Sequence, residues 1–198
     1  ARRQRQMCIR DRRTWRSLRF FDAVPLQEET YDDAMAGVSC VAYAPKSSGP
    51  WASARGALVT GLHSGQTRVV DARTFVELAS WKAFDHECMQ VHVASEHGAI
   101  LTIGCDDDTN VSTVRVWRLD SRAANVWHAV LCACVTVDAH ITCAAVPSHL
   151  SDVALGLSDG RVYVLPALSD SMRAKEPHII KPKLCLLYTS DAADERSS

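Results

Sequence analysis

Three copies of one hairpin pattern limit the folds open to this chain more than any other feature of its sequence. In each copy an apolar run ends at a glycine, a polar turn follows, and a second apolar run begins. The copies read GALVTGLHSGQTRVVD at 56–71, GAILTIGCDDDTNVSTVRVWRLD at 98–120 and SDVALGLSDGRVYVLP at 151–166. A hairpin that recurs along a chain predicts a repeat architecture.

Glycines stand at equivalent positions in these copies. Gly61 and Gly65 flank the turn of the first copy, and Gly156 and Gly160 flank the turn of the third copy at the same interval. Gly104 ends the first strand of the second copy, whose polar loop is longer. We expect these hairpin glycines to allow positive φ in tight turns. The three strand-ending glycines are 43 and 52 residues apart, near the roughly 40–45-residue period of WD-type blades.

Additional β-rich runs surround each hairpin and complete a unit of four strands. Four antiparallel strands joined by Gly, Asp and Ser turns are typical of a propeller blade. Helical periodicity is nearly absent, although Ser169–Ala174 could form a short turn. The predicted first strands are Val38–Ala44, Cys88–Ala94 and Ile141–Val146, and the predicted fourth strands are Phe75–Trp81, Val126–Cys134 and His178–Leu184.

Burial explains why such units stack. A single sheet exposes two faces, so neighbouring blades must cover each other around an axis. Alternation places Val114 and Val116 on one face of their strand and Arg115 on the other, with Val162, Tyr163 and Val164 following the same rule. The predicted fold class is all-β: a partial WD40-like β-propeller of about three four-stranded blades plus an N-terminal strand. A β-sandwich, which also has short strands at regular intervals, is the alternative.

The two ends of the chain differ in composition from the region between them. Residues 2–12, RRQRQMCIRDR, and 185–194, CLLYTSDAAD, can be encoded by one DNA segment read in opposite directions. We therefore expect 1–12 and 185–198 to be translated sequencing adapter, which leaves 13–184 as the propeller region. Without the arginine-rich start the chain is slightly acidic, so no nucleic-acid partner is predicted. Because propellers have four to eight blades, we expect this region to be part of a larger ring.

The cysteines favour a reducing, intracellular setting. The chain has eight Cys in 198 residues, too few and too unevenly spaced for a disulfide scaffold. Cys132 and Cys134 lie on a strand-like run near His140 and Cys143, but they lack the paired-knuckle spacing of zinc sites, so we expect small core residues.

Other polar clusters also lack the spacing of known sites. The loop with Asp106–Asp108 and Asn110 has neither the D-x-D-x-D-G pattern nor the distal Glu of a calcium loop, which predicts a solvated turn. No metal or other cofactor and no catalytic site is predicted, and the chain is expected not to be an enzyme. The remaining cluster, which lacks the zinc-protease H-E-x-x-H spacing, comprises His86, Glu87, His92, Glu96 and His97.

Four elements in order resemble one family. They are WRSLRFFD at 15–22, the GLHSGQTRVV hairpin, the TIGCDDD…VRVWRLD blade and the ALGLSDGRVYV blade. This order is similar to the start of the vacuolar protein sorting protein 11 family. That family supplies the core scaffold subunit of two endolysosomal tethering complexes, the homotypic fusion and vacuole protein sorting complex (HOPS) and its early-endosomal counterpart (CORVET).

The resemblance implies a scaffold that acts in vesicle-mediated transport to the vacuole or lysosome and in organelle fusion. Its implied partners are the other tethering-complex subunits, with Rab GTPases and SNAREs bound through the whole complex. The implied location is cytoplasmic and peripheral on endosomal and vacuolar membranes, reached only through partners. In that family a long α-solenoid and a zinc-binding RING follow the propeller, so zinc and ligase activity are not carried over to this region.

Two other functions remain open at this point. A WD40-type adaptor or substrate receptor in a ubiquitin ligase would use the same fold, and an enzyme could be carried on a propeller. The N-terminal cluster is interpreted as a strand that closes the ring, with a docking patch as the alternative. The cluster comprises Trp15, Arg16, Arg19, Phe20 and Phe21.

Overall fold

Three β-sheets follow one another along the chain. The computed structural model describes residues 37–53, 55–107, 111–123, 126–172, 178–179 and 183–186, which lie in one compact unit spanning 35–198. The strands in these residues are β1 (Val38–Ala44), β2 (Ala57–Leu62), β3 (Gln66–Asp71), β4 (Glu77–Lys82), β5 (Cys88–Ala94), β6 (Ala99–Gly104), β7 (Ser112–Ala123), β8 (Val126–Val137), β9 (Ile141–Ala145), β10 (Val153–Leu157), β11 (Val162–Leu165), β12 (His178–Ile179) and β13 (Lys183–Leu186).

Each sheet contains four strands that pair antiparallel with their neighbours. The first sheet has the order β1-β2-β3-β4, and the second contains β5-β6-β7-β8 in the same way. The third pairs β9, β10 and β11, with β13 as its fourth strand. A 3₁₀ turn at Lys46–Ser48 and a short helix α1 at Leu168–Ser171 accompany the strands. No helix among the described residues is long and apolar enough to cross a bilayer.

The predicted strands are present, with β4 starting two residues later than predicted and β8 ending three residues later, except near the end of the third sheet. Val38–Ala44 and Cys88–Ala94 are strands with the predicted bounds. The single strand predicted at His178–Leu184 is wrong. The structure instead has β12, which pairs in parallel with β8 of the second sheet, and β13, which completes the third sheet. One run of chain therefore serves two neighbouring sheets, a division that periodicity within a single strand does not reveal.

The second sheet is buried on both faces. All six residues of β6 are buried, although alternate side chains of a strand point to opposite faces. Ile100 packs with the first sheet, whereas Leu101 and Ile103 pack with the third sheet. A sheet in a two-layer sandwich has one covered face. The second sheet therefore packs between the first and third sheets, as predicted for stacked propeller blades.

Two apolar cores result from this stacking. The core between the first and second sheets includes Val59, Val69 and Trp117. The core between the second and third sheets includes Val114, Val116 and Leu155. Full burial of one such aliphatic side chain contributes roughly 1.5–3 kcal/mol. Stacking of the sheets is therefore the main source of stability in this part of the chain.

The hairpin glycines serve two different purposes. Gly65 and Gly160 have φ of 78° and 84°, as expected for tight turns. Gly61, Gly104 and Gly156 do not have positive φ, and that expectation is corrected. A Cβ on each would lie 2.6 Å or less from an atom of another residue. Space, and not backbone conformation, requires glycine at these three strand positions.

Candidate interaction surface

The hairpin turns and the connections between sheets share one edge of the described region. Phe84 in the β4–β5 connection donates its backbone N–H to Gly65 O in the β2–β3 turn (3.0 Å). Ser158 in the β10–β11 turn donates to His140 O in the β8–β9 connection (2.8 Å). We call this surface the hairpin edge, and it consists of residues 63–65, 82–87, 105–107, 115, 138–140 and 158–161.

A lysine fixes the hairpin turn of the first sheet. Lys82 is the last residue of β4, and its Nζ donates to Ser64 O at 2.8 Å and to Asp85 O at 3.3 Å. The ammonium group therefore joins the β2–β3 turn to the β4–β5 connection. A charged donor strengthens both hydrogen bonds.

In the second sheet an arginine joins a loop to the connection between sheets. Arg115 forms a two-pronged ion pair with Asp106, with N–O distances of 2.7 and 3.0 Å. Its Nη1 also donates to Ala83 O, and its guanidinium lies 4.8 Å from the ring centroid of Phe84. Asp106 Oδ1, which accepts from Arg115 Nη1, also accepts the backbone N–H of Asp85 (3.2 Å). Arg115 therefore fastens the β6–β7 loop to the connection that leads into its own sheet.

A second arginine repeats the arrangement in the third sheet. Arg161 pairs with Asp138 (3.0 Å) in the β8–β9 connection and with Asp159 (2.6 Å) in its own turn. The guanidinium also lies 5.3 Å from the ring centroid of Tyr163. Hydrogen bonds from Asp138 and then Asp159 raise the pKa of Arg161, and the backbone N–H of Arg161, followed by its side chain, lowers the pKa of Asp159.

The hairpin edge is acidic despite these three cations. Six carboxylates lie on its described residues against one Lys and two Arg. His63 in the β2–β3 turn also donates its Nδ1–H to Glu87 Oε1 in the β4–β5 connection at 2.7 Å. Ion pairs and hydrogen bonds hold four of the six carboxylates in place, so the edge presents a largely fixed negative pattern; the four belong to Glu87, Asp106, Asp138 and Asp159. The carboxylates belong to Asp85, Glu87, Asp106, Asp107, Asp138 and Asp159.

Near the hairpin edge each sheet carries a cysteine opposite a glycine. The pairing registers place Cys40 across from Gly61, Cys88 across from Gly104, and Cys143 across from Gly156. The hairpin pattern predicted the glycines but not the cysteines opposite them. The available signal was a Cys in the strand before each strand-ending glycine.

Two of these cysteines belong to one cluster. Cys40 Sγ donates to Cys88 O at 3.3 Å, and Ser39 Oγ donates to the same carbonyl. A hydrogen bond with the side chain of Cys88 lowers the pKa of Cys40 to about 7, although burial acts in the opposite direction. The same bond and burial raise the pKa of Cys88. Cys40 is thus the more acidic thiol of the pair.

At the opposite edge a cleft of about 260 Å³ lies between Trp51 and Arg118. Arg118 is already engaged, since it donates to Asp120 and to Met172 O at 2.7 Å. Glu96 accepts from Ser148 at 2.6 Å, and His97 bonds to His149 O at 3.0 Å. These ionisable side chains connect the second sheet to the third and to α1.

The expectation that Cys132, Cys134 and Cys143 are small core residues holds for Cys132 and not for the other two. Cys132 lies in the core between the second and third sheets, Cys134 is half-buried, and Cys143 is exposed. Among the described residues no group of three or more His, Cys, Asp or Glu is arranged to hold a metal. Asp106 serves as the partner of Arg115, while 108–110 of the same loop lie outside the described residues.

Two further clusters in the sequence are the N-terminal cluster and the group of histidines and acids near β5. The N-terminal cluster from Trp15 to Phe21 lies outside the described residues. The histidines and acids near β5 are placed: His92 is half-buried beside Gln90, and burial lowers its pKa. His86 and Glu87 lie on the hairpin edge, whereas Glu96 and His97 lie in the β5–β6 turn.

A family model and a curated relative that match this chain point to the same family. The family model described as PEP5/VPS11 N-terminal matches residues 15–190. A curated relative, the vacuolar protein sorting-associated protein 11 homolog of Dictyostelium discoideum, is 25% identical over 179 residues. The match covers 86% of this chain and 17% of the relative, so the chain spans about a sixth of that protein's length.

Solved structures report on the fold alone. The Cps50 (Swd1) β-propeller domain of Myceliophteria thermophila superimposes with a TM-score of 0.54 at 16% identity, over 73% of this chain and 44% of that domain. The computationally designed protein Ika8 gives a TM-score of 0.48 at 18% identity, over 67% of this chain and 34% of its own. The first of these likenesses supports the propeller arrangement of the three sheets.

Proposed function

The chain belongs to the PEP5/VPS11 N-terminal family, and from that membership we propose that it is a scaffold propeller of an endolysosomal tethering complex. In this role it holds the other subunits of HOPS and CORVET in vesicle-mediated transport to the vacuole or lysosome. Rab GTPases and SNAREs are reached through the assembled complex. The protein works on endosomal and vacuolar membranes as a peripheral component attached by its partners.

The observation that carries the proposal is the largely fixed acidic pattern of the hairpin edge. Lys82 and Arg115 donate to backbone carbonyls of neighbouring segments, and Arg161 pairs with the Asp138 carboxylate. A surface whose side chains are already ordered loses little conformational entropy when a partner binds. Its excess of carboxylates attracts a partner segment rich in Lys and Arg, since complementary charge steers association.

Binding without catalysis is the mode of action we propose. The arginines of the hairpin edge and of the cleft support this reading because they are engaged in structural bonds. Arg115 pairs with Asp106, Arg161 with Asp138 and Asp159, and Arg118 with Asp120. A general acid or base needs a proton-transfer group aimed at a bound substrate. Groups held in mutual ion pairs are suited instead to presenting a rigid surface.

Capture of the partner subunits tests the proposal. Tagged full-length protein is purified from cells, and the co-purifying subunits of the tethering complexes are quantified. Wild-type protein is expected to retain them, and failure to do so contradicts the scaffold role.

A matched pair of variants tests the surface within that role. Asp85→Lys reverses an exposed charge on the hairpin edge, and Asp152→Lys reverses an exposed charge at the opposite edge. We expect Asp85→Lys to lower subunit capture by about tenfold at low salt, with a smaller difference at high salt. Asp152→Lys is expected to behave like wild type. Equal capture by both variants contradicts the assignment of the hairpin edge.

A further inference from the structure

Two cysteine sulfurs from neighbouring sheets converge on one glycine. A Cβ placed on Gly61 would lie 2.5 Å from Cys40 Sγ and 2.6 Å from Cys88 Sγ. Cys40 belongs to β1 of the first sheet, and Cys88 begins β5 of the second sheet. The absence of a side chain at Gly61 therefore leaves one small space that both sulfurs occupy.

Hydrogen bonds keep the two strands together at this point. Cys40 Sγ and Ser39 Oγ both donate to the backbone carbonyl of Cys88. Thr67 Oγ1 lies 3.7 Å from Cys88 Sγ on the other side. The thiols are thus held by the fold and do not need to find each other by a large movement of the backbone.

The thiols also differ in exposure and acidity. Cys40 is half-buried, so a small reagent can approach it, whereas Cys88 is fully buried with 0% exposure. The pKa of Cys40 is lowered to about 7, so this thiol ionises more readily than an ordinary cysteine. Thiolate is the form that reacts with peroxides and disulfides. Cys40 is therefore suited to react first and Cys88 to react second.

We propose that Cys40 and Cys88 form a peroxide-sensitive thiol pair whose oxidation joins the first and second sheets by a disulfide. In the first step the Cys40 thiolate attacks hydrogen peroxide, giving Cys40 sulfenic acid and hydroxide. In the second step the Cys88 sulfur attacks the sulfenic sulfur, and the hydroxyl leaves with the Cys88 proton as water. Peroxide is the two-electron oxidant, and an external dithiol reverses the reaction.

The third sheet provides an internal control. Cys143 stands opposite Gly156 in the same way, and its Sγ would lie 2.6 Å from a Cβ there. The other close atoms at that position are Thr142 Oγ1 and Cys143 O, with no second sulfur. Among the described side chains, the same cysteine–glycine pair is therefore present with no second sulfur beside it.

Mass spectrometry of the peroxide-treated full-length protein tests the pair. The native protein is treated with hydrogen peroxide, free thiols are blocked, and the digest is searched for linked peptides. We expect a Cys40–Cys88 peptide that has lost two hydrogen atoms and that disappears after treatment with dithiothreitol. Cys40→Ser and Cys88→Ser are expected to abolish this peptide, and Cys143→Ser to leave its amount unchanged.

Trapping of the intermediate separates the two steps. In Cys88→Ser the sulfenic acid has no resolving thiol, so dimedone is expected to label Cys40 several-fold more than in wild type. Circular dichroism checks that each variant is folded. Separate alkylation of Cys40 and Cys88 after peroxide treatment, or linkage of either one mainly to another cysteine, overturns the proposal. So does dimedone labelling of Cys40 that is no greater in Cys88→Ser than in wild type.

Discussion

Cys88 lies directly opposite Gly104 in the pairing of β5 with β6. The same relationship joins Cys40 to Gly61 and Cys143 to Gly156 in the other two sheets. The repeat therefore extends across strands and includes the first strand of each unit. Because the glycine provides space close to the opposite strand, each of these pairs limits what either position can accommodate.

Gly61→Ala should destabilise the protein more than a glycine substitution in an open turn. The new methyl group would lie 2.5 Å from Cys40 Sγ and 2.6 Å from Cys88 Sγ, so we expect a loss of about 3 kcal/mol. Gly160→Ala meets no atom within 4 Å but must keep a φ of 84°, which costs about 1 kcal/mol. Urea unfolding measures both, and equal losses contradict the packing explanation.

Arg115→Met should destabilise the second sheet because it removes the bonds that join the β6–β7 loop to the β4–β5 connection. The substitution removes the Arg115 donor from Ala83 O and the ion-pair partner from Asp106, and we expect a loss of about 1–2 kcal/mol in the free energy of unfolding. Arg68→Met is the control, since Arg68 is 3.8 Å from Glu77 and both side chains are about half exposed. Removal of such a surface pair should cost less than about 0.5 kcal/mol. Comparable losses for the two variants would show that Arg115 is not a fastening residue.

Asp71 should contribute to the acid sensitivity of the fold. Its Oδ1 accepts backbone N–H groups of Arg73 and Thr74, both at 2.7 Å, and these bonds lower the pKa of the carboxyl. A depressed folded-state pKa gives stability that is present above the unfolded value, near 4, and is lost as pH falls through the folded value. Asp71→Asn keeps an acceptor oxygen but does not titrate. Its unfolding free energy should fall less steeply than that of wild type below about pH 4, and parallel curves contradict this assignment.

Cys40 should react with alkylating reagents at lower pH than an ordinary thiol. Its pKa of about 7 arises first from the hydrogen bond with Cys88. Cys88→Ala removes that bond, so the pH at which alkylation is half-maximal should rise toward the ordinary value of about 8.5. Iodoacetamide labelling followed by mass spectrometry gives the profile for each cysteine. An unchanged Cys40 profile in Cys88→Ala contradicts the stated cause.

Local patterns predicted the strands well because each strand carries its own periodicity and its own flanking turns. Val38–Ala44 and Cys88–Ala94 have the predicted bounds for this reason. The division of 178–186 between two sheets depends on partners distant in sequence, so a local pattern does not encode it.

The candidate surface was harder to predict than the fold. Arg115 was placed on the correct strand, but its bond to Ala83 O depends on how two sheets meet. Arg161 and Asp138 are 23 residues apart and come together only through the β8–β9 connection. The glycines were recognised, yet the reason for Gly61 is the approach of two sulfurs from other strands. Contacts between sheets, which no single segment specifies, determine all three features.

The most direct test concerns the two faces of the second sheet. Ile100 and Leu101 are adjacent, point to opposite faces, and are both fully buried. Cysteines introduced at these two positions in separate variants should both resist alkylation in the native state, reacting only at the rate of unfolding. Protection at both positions is the result that stacked blades predict. Rapid native-state labelling of one position with protection of the other would instead indicate a sheet covered on a single face, and it would contradict the propeller arrangement.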